Sequence, residues 1–135
     1  MIGIDTNVLV RYLAQDDAKQ AAVATRLIER DLSAAQPGFI SLVVLVELCW
    51  VLKRLYAATN DELVGTVEDL LGGAQFHVER REVVQAAALL MRDRKSNKAG
   101  FTDMLIGQIA KFEGCSHTVS FDKNAVRSAG MVLLV

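Results

Sequence analysis

The sequence predicts an α/β fold, a three-layer α/β/α sandwich around a short, mainly parallel central sheet. Three observations predict it. Short apolar runs of strand length recur along the chain, at MIGI, FIS, FHV, HTVSF and MVLLV, and helical patterns fill the intervals between them. Strands separated by helices pair in parallel and are covered on both faces. The chain has 135 residues, 52 % of them hydrophobic and 6 % aromatic, enough to bury a sizeable aliphatic core.

Each element follows from local signals. Met1 to Ile4 reads as a buried strand that stops at Asp5. Asp5 or Thr6 can cap a helix whose Val8, Leu9, Tyr12 and Leu13 share a face. DDAKQAAVATRLIERDL is a second helix, acidic at its start and alanine-rich in its body. QPG at 36–38 is a turn that holds the only proline, and Phe39 to Ser41 is a short strand. An apolar helix follows over about 42–56, and Asn60-Asp61 opens another that ends near Gly72-Gly73. Phe76 to Val78 is a strand, Glu82 to Arg92 a helix, and DRKSNKAG a polar loop. Phe101 to Phe112 is amphipathic, with Thr102 as its expected cap and Phe101 stapled to Ile106. Gly114 ends it; His117 to Phe121 is a strand, Asp122 to about Ser128 a short helix, and Met131 to Val135 a last strand.

Fifteen Lys and Arg against sixteen Asp and Glu leave a formal net charge of -1. That balance excludes nucleic-acid binding through overall basicity and leaves local patches open. Cys49 and Cys115 lie far apart in apolar stretches, without a CxxC pattern, so buried free thiols in a reducing compartment are expected. MIGIDTN has neither the charged start nor the apolar stretch of a signal peptide, and the apolar run 42–52 is too short to span a bilayer. A single cytoplasmic domain over residues 1–135 is the expectation.

The stretch LVVLVELCWVL poses a chemical question, because ten apolar residues surround one carboxylate, Glu47. Either Glu47 lies on a narrow stripe that faces water, or it has a positive partner, since an unpaired buried carboxylate costs several kcal/mol. Ligands in parallel α/β folds bind beyond the carboxyl ends of the strands. Asp5 and Asp122 each follow a strand, Asp103 sits in the first turn of the helix before the strand that Asp122 follows, and Glu47 lies about one turn into its helix. Four carboxylates can therefore converge on one rim. At about 6 Å each pair would repel by about 3 kcal/mol in an effective dielectric of 20. A bound dication removes the conflict, and hard oxygen ligands without His or Cys select Mg²⁺ or Mn²⁺. Such a site suits hydrolysis of a phosphodiester.

Four segments in order, GIDTNVLVR, SLVVLVEL, FTDMLIGQIA and SFDKN, resemble the PIN-domain family over essentially the whole chain, and within it the VapC-type ribonuclease toxins of bacterial toxin–antitoxin pairs. The resemblance implies Asp5, Glu47, Asp103 and Asp122 as catalytic, metal-binding carboxylates, with Asn7 and Ser120 at the supporting polar positions. It implies a sheet with the first strand central, a homodimer, and a small antitoxin protein that inserts into the active-site groove. The chain departs from the family pattern at Gly100, where many relatives carry an additional carboxylate.

Simpler roles stand beside these. Asp5 and Asp122 suit helix N-caps, Asp103 suits a helix N-terminus, and a tertiary arginine could pair with Glu47. RDRKSNK, from Arg92 to Lys98, is the densest basic run; Arg92, Arg94, Lys95 and Lys98, together with Arg11, are candidates for RNA phosphate contacts, or else solvated surface. His77 and His117 read as structural, and Trp50 and Tyr56 as core or dimer contacts. Two other functions compete with a Mg²⁺- or Mn²⁺-dependent endoribonuclease. A catalytically inactive PIN-like binding module would tolerate Gly100. A phosphoacceptor signalling domain would want two adjacent acids after the first strand, and only Asp5 is present there.

Overall fold

The computed structural model describes residues 1–93 and 99–135. Its elements run β1 (Ile2–Gly3), α1 (Thr6–Ala14), α2 (Ala18–Arg26), β2 (Gly38–Ile40), α3 (Leu42–Tyr56), α4 (Asn60–Gly72), β3 (Phe76–Val78), α5 (Arg81–Asp93), α6 (Phe101–Phe112), β4 (Val119–Ser120), α7 (Lys123–Ala129) and β5 (Val132–Leu133). Helices cover a short parallel sheet, which is the predicted α/β/α class.

Hydrogen bonding gives two parallel ladders. In the first, β2 lies between β1 and β3, with Ile2 opposite Gly38 and Gly38 opposite Phe76. In the second, β4 pairs with β5, Val119 opposite Val132. The central place expected for the first strand thus belongs to β2 in the three-stranded ladder. The strands are also shorter than their apolar runs, two or three residues each. Ile2 is 50 % exposed, so β1 is not the buried strand its composition suggested.

The helix starts explain themselves. Asp5 caps α1, and Asp17 caps α2 by accepting from the Gln20 N–H at 3.0 Å. Ser41 is a cap rather than a strand residue; its Oγ accepts from the Val44 N–H at 3.1 Å. Thr59 and Glu62 form a reciprocal capping box on α4. The second helix is interrupted, since Leu27–Asp31 winds into a wider π turn before Leu32. At α6 the expected Thr102 cap is displaced: the helix starts at Phe101 behind Gly100, which has no side chain to cap with. That start also undoes the staple, because Phe101 lies inside the helix while Ile106 is exposed.

The core is aliphatic as the composition implied. Leu9, Ile28, Ile40, Leu45, Leu48, Val83, Val84, Phe101, Met104 and Leu105 are fully enclosed, each worth about 1.5–3 kcal/mol of transfer free energy. Gly38 is required by close approach rather than by its backbone angles. A Cβ there would lie 2.8 Å from both Ile4 Cγ1 and Leu32 Cδ1. The expectation of two buried thiols holds for Cys49 only, since Cys115 is exposed beyond the end of α6. Trp50 is 58 % exposed and is no core residue; the Arg54 guanidinium lies 5.4 Å from its ring centroid. No described helix is long and apolar enough to cross a membrane.

Candidate active site

The chain leaves β1 at Gly3, and Asp5 opens α1 with an extended backbone while its Oδ1 accepts from the Thr6 N–H at 2.9 Å. Glu47 lies in the second turn of α3. It sits on an outward stripe with Val43, Trp50 and Arg54, at the spacing of one helical face. This answers the question that the apolar stretch posed: the carboxylate faces water, and burial imposes no need for a buried cation. Asp5 and Glu47 line one open cleft of about 550 Å³, together with Thr6, Asn7, Arg11 and Asp16.

Asp16 was not singled out by sequence and Tyr56 read as a core or dimer contact, yet the two organise this cleft. The Tyr56 hydroxyl donates to Asp16 Oδ2 at 2.6 Å, and Arg11 Nη1 lies 3.3 Å from Asp16 Oδ1. Arg11 Nε donates to Gln20 Oε1 at 2.6 Å, so its guanidinium is held at the cleft wall. The tyrosine hydrogen bond, more than the arginine, keeps the Asp16 carboxyl below its usual range; Asp16 in turn raises Tyr56. In sequence, Asp16 and Asp17 read only as acids at a helix start, and no spacing rule joins Asp16 to a residue forty positions away.

A second pair of acids stands on α6 and at the start of α7. Asp103 lies in the first turn of α6, partly buried. Desolvation raises its pKa, repulsion from Asp122 raises it further, and Lys53 on α3 partly opposes both. Asp122 caps α7 by accepting from the Asn124 N–H at 2.8 Å. Ser120 Oγ accepts from the Asp122 N–H at 3.0 Å, which fixes the turn that carries the acid. The capping roles of Asp5 and Asp122 are therefore both realised, and each acid keeps an oxygen beyond its cap bond.

Among the described residues, no three His, Cys, Asp or Glu side chains come close enough together to hold a metal ion. The four acids stand as two pairs, Asp5 with Glu47 along the cleft and Asp103 with Asp122 by their mutual repulsion. Of the basic candidates, Arg92 donates to Glu68 on α4 through Nε at 3.0 Å and Nη2 at 2.6 Å. Arg94, Lys95 and Lys98 lie outside the described residues. Thr6 lines the cleft, and its hydroxyl is buried without a hydrogen-bond partner among the described residues. A further acid, Glu79, is committed elsewhere, because it accepts from the Leu42 N–H at 2.8 Å and so secures the start of α3.

Short parallel strands covered by helices, with acids placed just beyond strand ends, make this an α/β domain. Residues 2–130 match the PIN domain family, and the chain belongs to it. No curated protein matches the chain in a sequence search.

Proposed function

We propose that the chain is a divalent-metal-dependent endoribonuclease, acting as the toxin of a toxin–antitoxin pair. Asp5, Glu47, Asp103 and Asp122 hold Mg²⁺ or Mn²⁺, with Asn7 and Ser120 in support. Arg11, Arg92, Arg94, Lys95 and Lys98 meet RNA phosphates, the chain works in the cytoplasm as a homodimer, and a small antitoxin protein occupies the groove. The observation that carries the reading is the pairing of acids from distant segments, Asp5 with Glu47 and Asp103 with Asp122, in a chain of the PIN domain family.

The residues present suit a hard dication. All four donors are carboxylates, the hard oxygen ligands that Mg²⁺ and Mn²⁺ take. When bound, the metal neutralises charge developing on the scissile phosphate. The chain's own groups do the rest. Glu47, exposed in the cleft, also orients the attacking water through its second carboxylate oxygen. Ser120 keeps Asp122 in place, and Asp16 with Gln20 holds Arg11 toward the substrate backbone.

Thermal unfolding of the antitoxin-free protein, with and without millimolar Mg²⁺ or Mn²⁺ and beside Asp5→Asn, is the first test. Metal binding to the folded state raises the melting temperature by mass action. The Asp5→Asn variant blunts that rise and is itself more stable without metal. Cleavage of transfer, ribosomal and messenger RNA fragments by wild type, and not by Asp5→Asn, completes the case. A wild type indifferent to both metals and inert on every RNA class would instead support the binding-module reading.

A further inference from the structure

α3 is the element that both acid pairs share. Glu47 faces the Asp5 cleft, and six residues later Lys53 emerges about 9 Å farther along the axis and about 120° around it. Lys53 there approaches α6 instead of the cleft. Its Nζ lies 3.9 Å from the position a Cβ would take on residue 100, and its charge acts on Asp103. Gly100 offers no side chain of its own at this point, so nothing on residue 100 engages the ammonium.

We propose that Lys53 is a working member of the site: its ammonium, beside Gly100 and the turn that carries Asp103, holds a non-bridging oxygen of the RNA phosphate. This rests on the ribonuclease reading above and adds to it a substrate-binding cation that the chain itself supplies. The backbone favours the assignment. The Asp103 N–H donates to the Gly100 carbonyl at 3.1 Å, so the point that the Lys53 ammonium approaches belongs to the turn that carries Asp103, where a cation attracts an incoming phosphate. A lysine suits the place because its compact charge on a flexible stem can follow an oxygen as negative charge grows on it. The side chain is exposed, so a substrate can reach it without any opening of the core. Residue 100 also bears on this, because its extended backbone (φ -77°, ψ 171°) admits any amino acid. An acid there would meet the ammonium and draw it away from substrate.

The test uses the full chain as wild type, Lys53→Met and Lys53→Arg, with cleavage kinetics on one RNA and Mn²⁺ affinity measured by titration. Lys53→Met should lower kcat about tenfold or more with a smaller change in KM, as expected for a contact that strengthens in the transition state. It should also bind Mn²⁺ several-fold more tightly, because a competing positive charge has gone. Lys53→Arg should recover most of the turnover. A Lys53→Met enzyme that cleaves like wild type overturns the assignment and leaves the ribonuclease reading intact. Loss of turnover together with weaker Mn²⁺ binding and no rescue by arginine also overturns it, by showing a structural role. If wild type neither binds Mn²⁺ nor cleaves RNA, the ribonuclease reading falls and the assignment with it.

Discussion

The Tyr56 hydroxyl, at the last residue of α3, donates to the Asp16 carboxylate in the link between α1 and α2 at 2.6 Å. One short hydrogen bond thus ties the far end of the α3 stripe to the wall of the Asp5 cleft. Because the bond is made by the neutral phenol, Asp16 raises the Tyr56 pKa. In a Tyr12→Phe background, which leaves a single tyrosine, Asp16→Asn should move the tyrosinate absorbance titration to lower pH. An unchanged titration would mean that the pair is open in solution.

Asp103 supplies a pH signature. Its folded pKa is raised, by desolvation first and by Asp122 second, so the folded state holds this proton more tightly than the unfolded chain does. The carboxyl therefore costs nothing below its ordinary value of 3.8, and its penalty grows as pH rises from there through the folded value. Asp103→Asn should accordingly stabilise the metal-free protein at neutral pH, with the gain fading to nothing near about pH 3. A gain of equal size at both pH values would point to packing rather than charge.

The two cysteines should differ sharply toward a thiol reagent. Burial pushes the Cys49 thiol up to about 12, whereas Cys115 is exposed. The thiolate is the reactive form, so one thiol should react promptly in the native protein and the second only after denaturation. Cys115→Ser should abolish the prompt phase. Persistence of that phase would place the accessible thiol at Cys49.

Ala57 ends α3 in the left-handed region, at φ 54° and ψ 33°. A Cβ in that conformation is strained by about 1–2 kcal/mol, and glycine returns part of the relief as unfolded-state entropy. Ala57→Gly should raise stability by a net amount of about 0.5–1 kcal/mol, seen as a higher urea midpoint at unchanged slope. A lower midpoint would show that the terminal turn relaxes in solution.

The long amphipathic pieces could be read from sequence because their apolar spacing repeats over several turns. α3 and α6 fall where the pattern puts them, at Leu42–Tyr56 and Phe101–Phe112. Ends and exposures were less accessible. Ser41 looked like strand and Thr102 like a cap, since which residue turns out of helical geometry depends on the backbone entering it. No local signal marks the π turn at Leu27–Asp31. The apolar run around Glu47 suggested burial, but Val43 is 78 % exposed and Leu55 67 %, and an apolar side chain left on the surface looks in sequence like one in the core. At the site, the acids after strands were visible from topology alone. The grip of Asp16 and Tyr56 on the cleft, the commitment of Glu79 to α3 and the approach of Lys53 to Gly100 are contacts between distant segments, which periodicity does not encode.

The tight seat of Gly38 has a consequence for how this protein can vary. Its absent side chain is filled by Ile4 and Leu32, and Ile4 is the residue immediately before Asp5. A methyl group at residue 38 pushes on Ile4 and Leu32 alike, so part of the strain is delivered to the backbone that aims the first acid. In a saturation library sorted once for expression and once for chemistry, the two scores should part company at this position. Flexible side chains can give way enough for the fold to survive, while the acid loses its aim. Gly38, uncharged and remote from any proton transfer, would then be retained by selection on the reaction.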